Sequence, residues 1–304
     1  MAALSLAAPE QSPPAPSPVV ERMVAFVQGL VTKRLTSDAL FLPPLPMSAT
    51  QALNAINQPN FALRDAVPIL ERDPLLAARV FRLANSAAFS TGERSVTLIA
   101  SVTRLGARQL RTIIVESATD RLFHSRDPEV ARMCARAWQH SAAVALAARD
   151  LCLMIGRDDG DEACLSGLLH DIGKPVVATV LLEAEKQVVE GRGGTFIGSQ
   201  DWYQVISRTH RPVTQAIAEK WGMPSAVLKC IHESAEFDPN ERVSLGNLLC
   251  FVNALVKVAG LATGDDIDAA RTLTMIGHSM LGIDRAITDK LMSNIKDRVS
   301  DISV

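Results

Sequence analysis

Apolar residues recur at three- and four-residue intervals along most of the chain, the period of helices that bury one face. The first stripe is Val20, Val24, Val27 and Val31. Phe41-Leu-Pro-Pro-Leu-Pro46 stops it, because proline lacks a backbone donor and restricts the residue before it. Ser48 is the expected N-cap of a helix carrying Leu53 and Ile56. Asp73-Pro74 is a stronger start signal, with Asp as cap and Pro in the first turn, for a helix ending near Asn85-Ser86. The pattern predicts a helix from Ser95 to Leu105, a break at Gly106 and a second helix from Ala107 to Ser117. Asp127-Pro128 opens a long helix through Trp138 and His140 to Leu153. Asp158-Asp-Gly-Asp161 caps the helix leading into His170-Asp171. Gly191-Arg-Gly-Gly194 reads as a flexible loop, and Trp221-Gly-Met-Pro224 as a stop and restart. Two further helices are expected, from about residue 265 to His278 and from Asp284 onward.

Strand signals are scarce: aromatic residues make up 4% of the chain and no segment alternates for long. The expected class is all-α, a multi-helix bundle. Residues 1–18 are rich in Pro, Ala and Ser, a composition that buries too little apolar surface to order itself, so a disordered tail is expected there.

Charge narrows the functional classes. The 31 basic and 33 acidic residues leave a formal charge of −2, which argues against broad electrostatic binding to nucleic acid or anionic membranes. Residues 20–127 are locally basic, with 13 basic and 9 acidic groups. Arg79 with Arg82, and Arg104 with Arg108 and Arg111, could line an anion-binding face or an ordinary solvated one. Cys134, Cys152, Cys164, Cys230 and Cys250 are odd in number, scattered and set in apolar helices, so they read as buried hydrophobes in a reducing compartment. No apolar run approaches the roughly 20 residues that span a bilayer, and the N-terminus has no basic leader region. A cytoplasmic protein is the expectation.

The chemistry concentrates in Ser166-Gly-Leu-Leu-His170-Asp171-Ile-Gly-Lys174. A histidine beside an aspartate can hold one ion from two sides when other helices close the site. His140, His210 and His232 lie in separate helical segments, so converging ligands would place the ion inside a bundle. Imidazole with carboxylate suits Mn, Fe, Co or Zn. Lys174 is the best phosphate contact in the chain. No P-loop, dinucleotide glycine motif or serine elbow competes.

At this point a resemblance appears. His140, His170-Asp171, His210 and His232 resemble the ordered ligands of the HD superfamily of metal-dependent phosphohydrolases. Leu42-Pro-x-Leu-Pro46, Arg72-Asp-Pro74, Val80-Phe-Arg-Leu-Ala-Asn-Ser86, Leu105-Gly106-x-x-x-Leu110-Arg111, Trp138-x-His140-Ser141 and Trp221-Gly-Met-Pro224 resemble, in order, segments of its HDOD subfamily, a bacterial signalling output domain. The resemblance covers about residues 41–260 and implies an HD-like helical core preceded by an N-terminal helical subdomain. It divides the chain into a helix at 19–40, an HDOD domain at 41–260 with halves 41–127 and 128–260, and C-terminal helices at 261–304.

The chain departs from the superfamily pattern at the closing ligand: Asn253 stands where an aspartate is expected. An amide oxygen brings no charge, and losing one of two carboxylates weakens a divalent site. His232 is followed by Glu233, where a second histidine is common in the superfamily. The resemblance therefore implies a signal-transduction module acting through a signalling protein partner, without catalysis. The alternative it implies is a metal-dependent phosphohydrolase acting on a nucleotide or cyclic dinucleotide. A nucleotide or anion ligand and a homodimer are further expectations. The apolar positions Ile287, Leu291, Ile295 and Val299 fit either a dimer or a cover for the core.

Overall fold

The structure, a computed structural model, describes residues 18–302 apart from 41, 90, 91, 93, 94, 126, 193–198 and 263–266. The proline-rich stretch at 1–17 and part of the expected glycine loop, at 193–194, lie outside the described residues. The described residues form helices and no strands, as the period of the sequence requires.

Helix α1 (Pro18–Thr36) buries the valine stripe, with Val20 and Val27 fully inside. It lies chiefly against α9 (Ser199–Thr209), and Arg208 on α9 pairs with Glu21 at 2.7 Å. Helix α2 (Met47–Ile56) begins one residue before Ser48, with Pro46 at the cap position. Ser48 therefore makes no N-cap; its hydroxyl donates to Asp73 Oδ2 at 2.7 Å. Asp73 caps α4 (Pro74–Ala84) by accepting from Leu76 N–H, and the short α3 (Val67–Leu70) precedes it.

Helix α5 (Leu98–Leu122) starts from a Thr97 cap rather than at Ser95. It is broken where expected: Gly106 has φ 76° and ψ 170°, a conformation that costs a side-chain-bearing residue dearly. Helix α6 (Pro128–Met154) opens on Asp127, which accepts from Glu129 and Val130 N–H. Helix α7 (Gly160–Leu169) leads to the His170-Asp171 turn, and α8 (Gly173–Arg192) leaves it. Then come α9, α10 (Arg211–Lys220) and α11 (Ser225–Glu233), the last two separated by Gly222 at φ 65°. Helix α12 (Leu245–Val256) runs into a π-helical turn (Lys257–Leu261), followed by α13 (Ile267–Leu281) and α14 (Arg285–Ile302).

One apolar cluster runs from Val20 to Ile231, so helices on both sides of residue 127 share a core. A second joins α6, α7, α12 and α14 around Phe251, Leu255, Leu291 and Ile295. Each such fully buried side chain contributes about 1.5–3 kcal/mol. Leu291 and Ile295 are 0% and 3% exposed, so the C-terminal helix spends them on its own chain. The run Gly160–Ala184 is long and apolar enough to cross a membrane, contrary to the expectation that no such run exists, yet 83% of its apolar window is buried in the fold. The turn at His170-Asp171 splits that run into two helices, and the surrounding bundle accounts for its apolar character.

The arginine rows are largely committed. Arg79 pairs with Asp120 at 3.0 Å, Arg104 donates to Ala84 O, Arg108 to Asp158 O and Arg111 to Asn57 Oδ1. All five cysteines are buried as free thiols, and burial pushes Cys134, Cys152 and Cys230 up to about 12. They stay protonated and offer no thiolate to a metal.

Candidate histidine–carboxylate centre

Helix phase carries the first ligand inside. On α6, Met133, Ala137, His140 and Val144 are all buried, at spacings of three and four. The second and third come from the end of α7. His170 is the C-cap residue, and its Nδ1–H donates 2.7 Å to Gly167 O, a carbonyl in the last turn of the helix. Asp171 follows in the turn. Two glycines let other backbones close on this motif. A Cβ on Gly167 would lie 2.8 Å from Ala145 Cα and N. One on Gly173 would lie 2.5 Å from His210 O and 2.7 Å from Thr214 N. Gly173 N–H donates to Thr214 Oγ1 at 3.0 Å, which fastens the start of α8 to α10 and brings His210 to the site.

Asp171 is the hub. His140 Nε2 lies 3.7 Å and His170 Nε2 3.4 Å from its Oδ2, and Lys174 Nζ lies 2.7 Å from the same oxygen. His210 Nε2 is 3.1 Å from Oδ1. Exposure is 0% for His140, 3% for Asp171 and 7% for Lys174. The two imidazole rings of His140 and His170 sit 5.3 Å apart at 51°.

Hydrogen bonds assign the protons. His140 Nδ1–H donates to Leu261 O at 2.9 Å, in the π-helical turn. His140 and His170 therefore carry their proton on Nδ1 and turn a lone pair at Nε2 toward the carboxylate. His140 Nε2 and His170 Nε2 are buried without a hydrogen-bond partner, and so is Asn253 Oδ1 on α12, while Asp171 Oδ2 has the Lys174 ammonium beside it. His210 faces acceptors on both sides, Ile206 O at 3.0 Å and Asp171 Oδ1. Ile206 O already takes the His210 backbone N–H, and a bond to a carboxylate is the stronger one. His210 thus donates from Nε2 to Asp171.

Burial pushes His140 down to about 3 and His170 to about 4, and it lowers His210 as well. Burial alone would raise Asp171, but the Lys174 ammonium and the His210 bond outweigh it and hold the carboxylate well below its usual range. These histidines are neutral in the fold and protonate near 6.5 once unfolded, so their contribution to stability is present above about pH 6.5 and drains away as pH falls toward 3–4. Asp171 adds a further loss below its unfolded value of 3.8. The urea midpoint is expected to hold from pH 8 to 7 and to fall steadily between pH 6.5 and 4.5; an unchanged midpoint across that lower range would contradict neutral burial.

The structure brings together four of the five expected ligands. His140, His170 and Asp171 offer atoms all within 4.8 Å of one another, and His210 joins through its bond to Asp171. His232 stays outside: it is exposed on α11, whose buried face is Val227, Cys230, Ile231 and Ser234. Glu233 is partly buried and 3.4 Å from Lys229. Lys174 points at Asp171 rather than into space for a phosphate; the cavity beside it, lined by Met133, Ala137, Tyr203 and Ile206, is about 10 Å³, room for about one water.

The donors are right in kind for a transition metal, but as they stand they do not fit one. His210 Nε2 is spent as a donor. One carboxylate remains, and an ammonium already sits on it. Lys257 and Arg211 add positive potential at His140 and His210. Sequence inspection missed Leu261 O, Gly167 O and Thr214 as partners, because backbone carbonyls and a hydroxyl one helix away leave no spacing to read.

Known proteins place this architecture. A family model described as the HDOD domain matches residues 42–237. A Treponema pallidum protein described as uncharacterized is 24% identical over 224 residues, covering 71% of this chain; the chain spans 42% of that relative's length. Among solved structures, a candidate metal-dependent phosphohydrolase from Shewanella amazonensis aligns with a TM-score of 0.69 at 23% identity, covering 92% of this chain and 99% of its own. An HDOD domain protein of unknown function from Geobacter sulfurreducens gives 0.64 at 22%, covering 93% and 99%. A candidate signal transduction protein from Marinobacter aquaeolei gives 0.60 at 24%, covering 92% of this chain and 65% of its own. At these identities the structural likeness speaks to the fold.

Proposed function

The chain belongs to the HDOD domain family, and from that premise we propose that it is a signal-transduction module that works by binding a signalling protein and not by catalysis. The observation that carries this reading is the sealed centre. Asp171 and Lys174 balance each other's charge inside the bundle, and about 10 Å³ of space adjoins them. A nucleotide needs a pocket of about 300 Å³ or more. Larger depressions occur elsewhere, such as one of about 350 Å³ lined by Arg108, Glu162, Lys229 and Glu241, but none of the centre's residues lines it. The centre then serves as a buried polar tie between α6, α7, α8 and α10, giving the module one defined shape.

A second reading is favoured by the unpaired atoms at His140, His170 and Asn253: a metal-dependent phosphohydrolase acting on a nucleotide or cyclic dinucleotide. It requires Lys174 to withdraw from Asp171. Turnover of bis(p-nitrophenyl) phosphate and of a cyclic dinucleotide, with Mn, Fe, Co or Zn supplied, separates the two. The proposal expects no rate above that of the His170→Ala variant. A rate that disappears in that variant and rises in Asn253→Asp would establish the second reading instead.

A further inference from the structure

We infer that the Lys174 ammonium is the resident cation of the histidine–carboxylate centre, and that it keeps a divalent ion out of a donor set that is otherwise formed. This deepens the non-catalytic reading and rests on it. Three groups address one oxygen: His140 Nε2 at 3.7 Å, His170 Nε2 at 3.4 Å and Lys174 Nζ at 2.7 Å from Asp171 Oδ2. The first two present lone pairs to a carboxylate, which is tolerable only beside a positive charge. Nζ supplies that charge.

A transition metal held by the same donors would stand about 2.0–2.2 Å from each of them. That position would adjoin Oδ2, and Nζ already stands 2.7 Å from that oxygen. An ammonium and a divalent ion a few ångströms apart inside the bundle repel far more strongly than they would in water. The lysine has little freedom to move aside. It is 7% exposed, and the cavity beside it has room for about one water. Asp171 alone cannot compensate both cations. The replacement of a closing aspartate by Asn253 therefore removes one carboxylate, while Lys174 occupies the remaining one.

It follows that the lysine, and not a shortage of donors, is the immediate barrier. Lys174→Met keeps the apolar stem and removes the charge. It leaves two imidazole nitrogens and a carboxylate oxygen within 4.8 Å of one another and no ammonium on the carboxylate, the three-ligand set of an open transition-metal site.

The test is titration of the wild-type chain and of Lys174→Met with Co2+ alone, read by visible absorption and by the thermal midpoint. The expected result is no cobalt spectrum and no shift in the wild type. In Lys174→Met a stoichiometric spectrum of histidine–carboxylate cobalt should appear, with affinity raised on the order of 10³-fold or more. Adding His170→Ala to that variant should abolish it. Lys174→Arg should fold and remain metal-free. If Lys174→Met does not fold alone, refolding it with Co2+ is expected to restore it. A folded Lys174→Met that binds cobalt no better than wild type, or an unfolded one that cobalt does not rescue, overturns the inference while leaving the non-catalytic reading intact. Wild type that binds cobalt as tightly as the variant also overturns it; the non-catalytic reading falls with it only if phosphoester turnover appears too.

Discussion

Replacing Asp171 with alanine is expected to cost about 3–5 kcal/mol of stability at neutral pH, the usual penalty for leaving a buried charge without its partner. In the fold Asp171 receives the Lys174 ammonium at 2.7 Å and the His210 N–H at 3.1 Å, and it is almost wholly enclosed. Alanine removes the carboxylate that lies 2.7 Å from Nζ, inside the bundle. The loss comes chiefly from that stranded cation, so removing it should give much of the stability back. Urea denaturation of Asp171→Ala, Lys174→Met and the double variant measures this. The double variant is expected to be more stable than the sum of the single losses by at least about 1.5 kcal/mol, within the range of coupling found for contacting groups. Additive losses would mean that the two charges do not compensate each other.

Gly173→Ala should be nearly as damaging, for a purely steric reason. The added Cβ would meet His210 O at 2.5 Å and Thr214 N and Oγ1 at 2.7 Å, and two of these three are backbone atoms that cannot turn away. Helices α8 and α10 would have to separate, at a cost of about 2–4 kcal/mol for overpacking a fixed site. Separation also lengthens the Gly173–Thr214 hydrogen bond and withdraws His210 from Asp171, so the His210 imidazole resonances should shift along with the unfolding midpoint. Gly29→Ala is the control. Nothing lies within 4 Å of its added Cβ, and it is exposed inside α1, so alanine should be neutral or stabilising by about 0.5–1 kcal/mol. Equal effects at the two glycines would refute the close-approach explanation.

These two substitutions mark what the sequence made legible and what it hid. Helix boundaries governed by local chemistry could be read directly: Asp73 and Asp127 as caps, the Gly106 break and the Gly222-Met-Pro224 restart. Ser48 was misread because its hydroxyl finds a partner 25 residues away, in the very aspartate that caps α4. His140 could be placed by phase. The same argument applied to α11 would have put His232 outside, since Val227, Cys230, Ile231 and Ser234 already define the inner face. The ligand order of a known family outweighed that local signal. Lys174 was hidden differently. Its spacing from Asp171 is a helical i, i+3, but whether the ammonium turns inward depends on how tightly α9 and α10 close over it, and no residue pattern within α8 reveals that.

The glycines of the motif carry a related lesson. Gly167 and Gly173 flank His170-Asp171 because α6 and α10 pass too close for a side chain, not because the turn needs unusual dihedrals. The motif is thus first a packing device, and the polar centre is assembled on it.

The central claim, that this centre is a closed and charge-balanced network, is tested most directly by elemental analysis of the purified wild-type chain after expression with manganese, iron, cobalt and zinc in excess. Lys174 on Asp171 predicts only trace, substoichiometric metal, unchanged in His170→Ala. Stoichiometric transition metal in the wild type that is lost in His170→Ala would contradict it.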